Sequence, residues 1–201
     1  MSGSAHFDQA AATWDDSPRR VELARAVAEG ILQRIPLDTR WSLLDFGCGT
    51  GLLGLALRPK VGRLTGADPS PEMLKVLARK AEALGFPDVA LHRLDPEAAL
   101  EGMGTFHLLA STMTLHHVAD LPPLFRQFHG HLEPGGWIAL ADLDREDGSF
   151  HEDATGVFHR GFDRIELLAH LAEAGFEELR VETIAPTTKN GRNYSIFLLT
   201  G

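Results

Sequence analysis

The residues of this chain best suited to chemistry are three acids, three glycines and a pair of histidines. Asp45, Asp68 and Asp95 each follow a short apolar run, and Gly47, Gly49 and Gly51 alternate directly after the first of them. His116 and His117 follow another such run. Glycines at alternate positions let the backbone take positive φ and lie close against a ligand. A helix starting near Leu52 adds unpaired N–H donors at the same place. Such a loop suits a nucleotide-like cofactor. One carboxylate can accept from two vicinal ribose hydroxyls at once, through charge-assisted bonds stronger than neutral ones. A histidine with its ordinary pKa of about 6.5 can take a proton at neutral pH. Cys48, inside the loop, reads as a small packing residue.

The elements that must position these groups follow from periodicity. Residues 18–35 place Val21, Ala24, Ala28, Ile31, Leu32 and Ile35 at spacings of three and four, the pattern of an amphipathic helix. A buried strand is expected from Leu43 into the glycine turn, and others at residues 63–67, 89–94, 106–113 and 137–143, with that at 106–113 buried on both faces. Ser70 and Pro71 open a helix as N-cap and first residue, and Gly85 ends it. A helix at residues 121–131 leads into the turn Glu133-Pro134-Gly135-Gly136. Asp163 and Glu166 are spaced as a capping pair flanked by the staple Phe162 and Leu167, and Gly175 closes that helix. Two final strands, residues 176–184 and 194–199, flank a turn at Asn190-Gly191. The alternation predicts an α/β, doubly wound, Rossmann-like sheet of seven strands, mostly parallel, with an antiparallel last strand and helices on both faces. Ligands of such sheets bind beyond the carboxyl ends of the strands, where the strand order reverses. Asp45, Gly47, Asp68, Asp95, Ser111 and Asp142 all fall at those ends.

With 201 residues, the chain fits a single domain over 1–201. Its parts are a helical lid and first helix (1–40), a cofactor-binding core (41–143), a substrate-covering insertion (144–162), and the last helix with two strands (163–201). A formal charge of -9 argues against a large nucleic-acid surface, which needs clustered Lys and Arg. One cysteine allows no internal disulfide, and no apolar run is long enough for a membrane span. A cytoplasmic protein without membrane or nucleic-acid partners is expected, with its oligomeric state open.

Two cofactors compete for the glycine loop. Gly49-Thr50-Gly51-Leu52-Leu53-Gly54 satisfies the dinucleotide pattern, with Asp68 placed as a ribose-binding acid. Read with its flanks, the segment from Asp45 to Gly51 resembles the first motif of class I S-adenosylmethionine-dependent methyltransferases, of the small-molecule type 11/12-like kind. Residues 66–74 resemble that family's second-strand motif, Leu94-Asp95 its third strand end, residues 111–118 its fourth-strand segment and residues 132–136 the turn that follows. The resemblance implies that Asp45, Gly47, Cys48, Gly49, Gly51, Asp68, Pro69, Met73, Asp95 and Ser111 hold S-adenosylmethionine, Asp68 through the ribose hydroxyls and Asp95 through the adenine amino group. Phe7-Asp8 and residues 12–15 resemble a lid segment, with Trp14 and Arg20 at the cofactor entrance. About forty residues of largely helical sequence before the loop argue against a dinucleotide enzyme.

The acceptor is expected to be a small molecule. His116 and His117 are the candidate general bases, with strand capping or packing against the cofactor as the alternative. His151, Phe158 and His159 are candidate substrate contacts in a segment that reads either as an aromatic-walled pocket or as a solvated loop. No metal is expected, because the histidines lack ligand spacing. The absence of an Asn-Pro-Pro-Tyr motif argues against amide or exocyclic base nitrogens as acceptors. A module that binds S-adenosylmethionine without turnover is the other reading of the same fold.

Overall fold

The computed structural model describes residues 4–95 and 100–201. Strands β1 (Ser42–Phe46), β2 (Arg63–Asp68), β3 (Ala90–Arg93), β4 (Phe106–Thr112), β5 (Leu132–Leu143), β6 (Arg180–Lys189) and β7 (Arg192–Thr200) form one sheet in the order β3-β2-β1-β4-β5-β7-β6. The pairs among β1 to β5 are parallel, and β7 runs antiparallel to both its neighbours. Helices α1 (Ser4–Ala10), α2 (Pro18–Arg34), α3 (Leu52–Leu57), α4 (Pro71–Ala83), α5 (Leu121–Gly130) and α6 (Arg164–Glu173) accompany it. The order reverses between β1 and β4, which sets the crevice beyond their carboxyl ends.

Successive strand residues point to opposite faces, so each strand feeds two cores. Leu43, Leu108 and Leu198 pack with Val27, Ile31 and Leu77 on one side. Leu44, Leu109 and Leu199 pack with Phe125, Phe128 and Leu171 on the other. Ser70 caps α4, its Oγ accepting from Met73 N at 3.1 Å. Asp163 caps α6, accepting from the N–H groups of Ile165 and Glu166 at 2.9 and 3.2 Å. Among the described residues no helix is long and apolar enough to cross a membrane.

The structure corrects three local expectations. Ala24, Ala28, Ile31 and Ile35 are buried as expected, but Val21 and Leu32 are exposed, and Leu23, Val27 and Gly30 complete the buried stripe of α2. Gly30 sits where a Cβ would lie 2.4 Å from Ile184, so the helix is pressed onto β6. Phe176 is not strand: its N–H reaches Leu171 O, while Gly175 N reaches Ala172 O, the paired bonds that terminate α6. β6 therefore starts later than expected and runs on to Lys189. Residues 133–136 belong to β5 as an irregularity between the pairs Phe106↔Leu132 and Leu108↔Trp137.

Candidate active site

A cavity of about 450 Å³ opens at the strand ends beside the point of reversal. Its floor is Asp45, Phe46 and the glycine loop, where Gly47, Gly49 and Gly51 have φ of +70, +50 and +80. Two backbone bonds, from Gly47 N and Cys48 N to Ala67 O, tie the loop to β2. Asp68 fixes it further: Oδ2 accepts from Gly49 N at 2.8 Å and Oδ1 from Ser70 N at 2.9 Å. Each carboxylate oxygen accepts two bonds, so both retain capacity for a ligand.

The N-terminal segment closes one side. Ser70 Oγ donates to Asp8 at 2.5 Å, and Asp15 takes Thr50 Oγ1 and Lys80 Nζ, each at 2.6 Å. These three bonds hold α1 and the following turn over the loop, where Phe7 and Trp14 enter the wall with ring centroids 5.8 Å apart. Arg20 lies over the Trp14 ring at 3.7 Å and donates to its carbonyl.

The opposite side is built from histidines. His116 is buried, and its Nδ1 lies 2.7 Å from Asp142 Oδ1. Asp142, fully buried at the end of β5, also accepts from the N–H groups of Leu143 and His116. An ionised carboxylate only accepts, so Asp142 fixes the proton of a neutral His116 imidazole on Nδ1 and leaves Nε2 as the lone-pair nitrogen. His117 donates from Nδ1 to Gly156 O at 2.8 Å, and burial together with the neighbouring His116 pushes its pKa down to about 4. His151 is likewise lowered to about 4, chiefly by burial, and its ring centroid lies 4.8 Å from that of His116. His117 and His151 are thus neutral at physiological pH. Among the described residues no group of three or more His, Cys, Asp or Glu is arranged to hold a metal ion.

The cavity gathers Trp14, Arg20, Asp45, Gly47, Cys48, Gly49, Asp68, Pro69, Met73, His116, His117 and His151. Five expected contacts lie elsewhere. Gly51 is the N-cap of α3, and a Cβ on it would meet Leu77 at 2.3 Å, so its role is conformational. Ser111 Oγ donates to Phe46 O at 2.8 Å and braces β4 against β1. Asp95 is exposed, and its neighbour Leu94 supplies the lining; Pro96 lies outside the described residues. Phe158 is 52% exposed, and His159 Nε2 bonds to Val118 O. The backbone of these two residues serves the site instead, as both N–H groups donate to His116 O. Buried Cys48 has its thiol pushed well above the ordinary range, which keeps it an unreactive packing residue.

Asp45 is buried with Oδ2 accepting from Gly54 N at 2.9 Å. Desolvation raises its carboxyl to about 7, and the nearby Asp68 adds to the rise. The folded state therefore holds this proton more tightly than the unfolded chain. The stabilisation is complete below the ordinary carboxylate range and is lost as pH rises through about 7. Asp45→Asn is expected to be more stable than the parent above that pH, on the order of 4 kcal/mol, with the gap closing toward about pH 4. Urea unfolding across that range measures it, and a gap that does not change with pH counts against the buried proton.

The same contact explains Gly54, the last glycine of the dinucleotide pattern, by packing. A Cβ at Gly54 would lie 2.8 Å from Asp45 Oδ2, so this glycine lets α3 pack on β1.

Residues 19–181 match a methyltransferase domain family. The ubiquinone biosynthesis O-methyltransferase of Methylobacterium nodulans is 30% identical over 162 residues, covering 73% of this chain and 64% of that protein. The chain thus spans just under two thirds of that relative's length. Among solved structures, a chain of the complex between the Haloferax volcanii Trm112 methyltransferase activator and a methyltransferase superposes with a TM-score of 0.80 at 20% identity, covering 97% of this chain and 96% of that one. The Haemonchus contortus phosphoethanolamine N-methyltransferase 2, complexed with phosphomonomethylethanolamine and S-adenosylhomocysteine, gives 0.70 at 17% identity, with 86% and 51% covered. The chain belongs to the methyltransferase-domain family, class I enzymes whose methyl donor is S-adenosylmethionine.

Proposed function

We propose that this protein transfers the methyl group of S-adenosylmethionine to a hydroxyl oxygen of a small molecule. The observation that carries the reading is the His116–Asp142 pair, 2.7 Å apart, opening on the same cavity as Asp68 and the glycine loop. A hydroxyl must lose its proton as it attacks, and a tautomer-fixed imidazole supplies the base. The O-methyltransferase named among the relatives agrees with an oxygen acceptor. The cavity falls within the roughly 300–1,000 Å³ of small-molecule sites, and it must hold donor and acceptor together.

In this reading Asp68 accepts from the donor's two ribose hydroxyls, the backbone of Gly47 to Gly49 lies against the donor, and Arg20, stacked on Trp14, takes its carboxylate. The acceptor oxygen attacks the methyl carbon in line. An O–C bond forms, the C–S bond breaks with its electrons going to sulfur, and the proton passes to His116 Nε2. Positioning the two reactants supplies much of the acceleration, because the sulfonium arrives activated.

Incubation with methyl-labelled S-adenosylmethionine and fractionated cell metabolites tests the reaction. A labelled methyl ether product supports it. Donor binding without labelled product from any fraction would mark a binding module. Asp68→Ala is expected to weaken donor binding by about 1.5–3 kcal/mol, the worth of charged hydrogen bonds. Calorimetry with S-adenosylmethionine measures this, and an unchanged Kd would place the ribose elsewhere.

A further inference from the structure

Arg19 and Arg20 occupy the first turn of α2, which contains no acid. The partial positive charge at a helix N-terminus favours anions there, so two arginines oppose the local preference. Arg20 is accounted for by Trp14. Arg19 is half-buried in the cavity wall and has no hydrogen-bond or ion-pair partner among the described residues; it lies 5.4 Å from the centroid of the Phe150 ring. A second cation lies near the same ring. Lys189, the last residue of β6, lies 5.1 Å from that centroid and donates one hydrogen to Phe150 O at 2.6 Å, leaving two.

Two like charges beside one ring, near enough for Arg19 to repel Lys189 and partly out of water, are unfavourable unless an anion joins them. The nearby acids do not serve. Glu152 and Asp153 are exposed, accepting from Asn190 Nδ2 at 2.9 Å and Thr155 N at 2.8 Å; Glu152 attracts Lys189 from a distance, but neither acid forms a direct ion pair with Arg19 or Lys189. Burial also presses the pKa values of both cations downward; Glu152 pulls that of Lys189 part of the way back, and no acid does so for Arg19. The place of the pair in the cavity identifies which reactant it serves. Phe150 contacts His151 edge to face at 4.9 Å, and His151 lies 4.8 Å from His116. The cations therefore stand two rings from the base, on the acceptor's side.

We propose that Arg19 and Lys189 form an anion-binding subsite, so that the acceptor is an acidic small molecule carrying a carboxylate or phosphate monoester. It would lie with that group beside Phe150 and its hydroxyl at His116. The proposal rests on the methyl-transfer reading above.

Its test titrates the S-adenosylhomocysteine-saturated protein with benzoate, phenyl phosphate and neutral benzyl alcohol. At least one anion is expected to bind about tenfold more tightly than the alcohol, and the tighter of the two names the acid. The Arg19→Gln, Lys189→Gln double variant should bring the anion down to the level of the alcohol, with S-adenosylhomocysteine affinity kept within about twofold. Arg19→Lys, which keeps the charge, should retain part of the preference and show that the fold survives. Equal binding of anion and alcohol overturns the proposal, as does an anion preference that persists in the double variant. A fall in S-adenosylhomocysteine affinity alongside the anion's would assign the pair to the donor's carboxylate and overturn it as well. Failure of the parent protein to bind S-adenosylhomocysteine would remove the underlying reading and this one with it.

Discussion

Asp142→Asn is expected to slow methyl transfer by about 10²–10⁴-fold, the usual contribution of a general base, while donor affinity stays within about twofold. Asp142 Oδ1 accepts from both His116 Nδ1 and Leu143 N at 2.7 Å, and Oδ2 accepts from His116 N at 3.3 Å. An amide offers only one oxygen. With its NH₂ at the Oδ1 position it meets Leu143 N–H and forces the proton of His116 onto Nε2, where the base must be vacant. With its NH₂ at the Oδ2 position the ring keeps its tautomer but loses the charge that stabilises an imidazolium. Either way one buried N–H is left without an acceptor, so stability should fall by about 1–3 kcal/mol. His116→Ala should match the rate loss. A structural role alone would produce the instability without changing the pH profile. In the variants the rise of kcat with pH should shift to the ionisation of the acceptor itself, and an acceptor already ionised at neutral pH should be methylated nearly as fast as by the parent. Retention of activity within a few-fold for an un-ionised acceptor would remove His116 from the chemistry.

Much of this fold is legible because its signals are local. The caps at Ser70 and Asp163 are read from a few adjacent residues, and the structure places their side chains on the expected N–H groups. The alternation of apolar strands and amphipathic helices carries the doubly wound sheet in the same way. What failed depended on partners far along the chain. Periodicity alone does not tell that Leu23 and Val27, rather than Val21 and Leu32, face the sheet, because Gly30 turns the helix toward Ile184 on β6. Phe176 is apolar enough for a strand, yet the two carbonyls it helps satisfy at the end of α6 decide its place.

The site divides along the same line. The glycine loop and Asp68 belong to one strand–turn–helix sequence and to the strand after it, so their spacing exposes them. The His116–Asp142 bond spans 26 residues, and Arg19 and Lys189 are 170 positions apart in sequence by their numbers. Asp142 could be placed at a strand end, but nothing in its flanks named histidine as its partner. A signal for Arg19 was present, since two arginines opening a helix run against the dipole. Local rules broken without local compensation tend to mark functional positions. Phe158 and His159 show the reverse error: their side chains have the right chemistry, yet it is their backbone that touches the site.

The three glycines of the loop should give opposite results when each is replaced by alanine, because each lacks a side chain for a different reason. At Gly47 a Cβ would stand 2.2 Å from Thr114 Oγ1 and Cγ2, and at Gly51 it would stand 2.3 Å from Leu77 Cδ1, inside the core. Both positions have positive φ, which costs a non-glycine residue about 1–2 kcal/mol, and overpacking adds about 1–3. Gly47→Ala and Gly51→Ala are therefore expected to lose about 2–5 kcal/mol in urea unfolding. Gly49 also has positive φ, at +50, but the nearest atom to its Cβ is Met73 Sδ at 3.9 Å. Gly49→Ala should lose only the conformational term of about 1–2 kcal/mol and place a methyl group beside Met73, in the space the donor would occupy. Its affinity for S-adenosylmethionine should drop at least about tenfold, whereas folded Gly51→Ala should bind nearly as the parent does. Gly47 contributes to both effects, since moving Thr114 breaks its bond to Gly47 O and shifts the loop itself. If Gly49→Ala bound the donor as tightly as the parent, the loop backbone would not lie against it, and the alternate spacing of the glycines would serve packing alone.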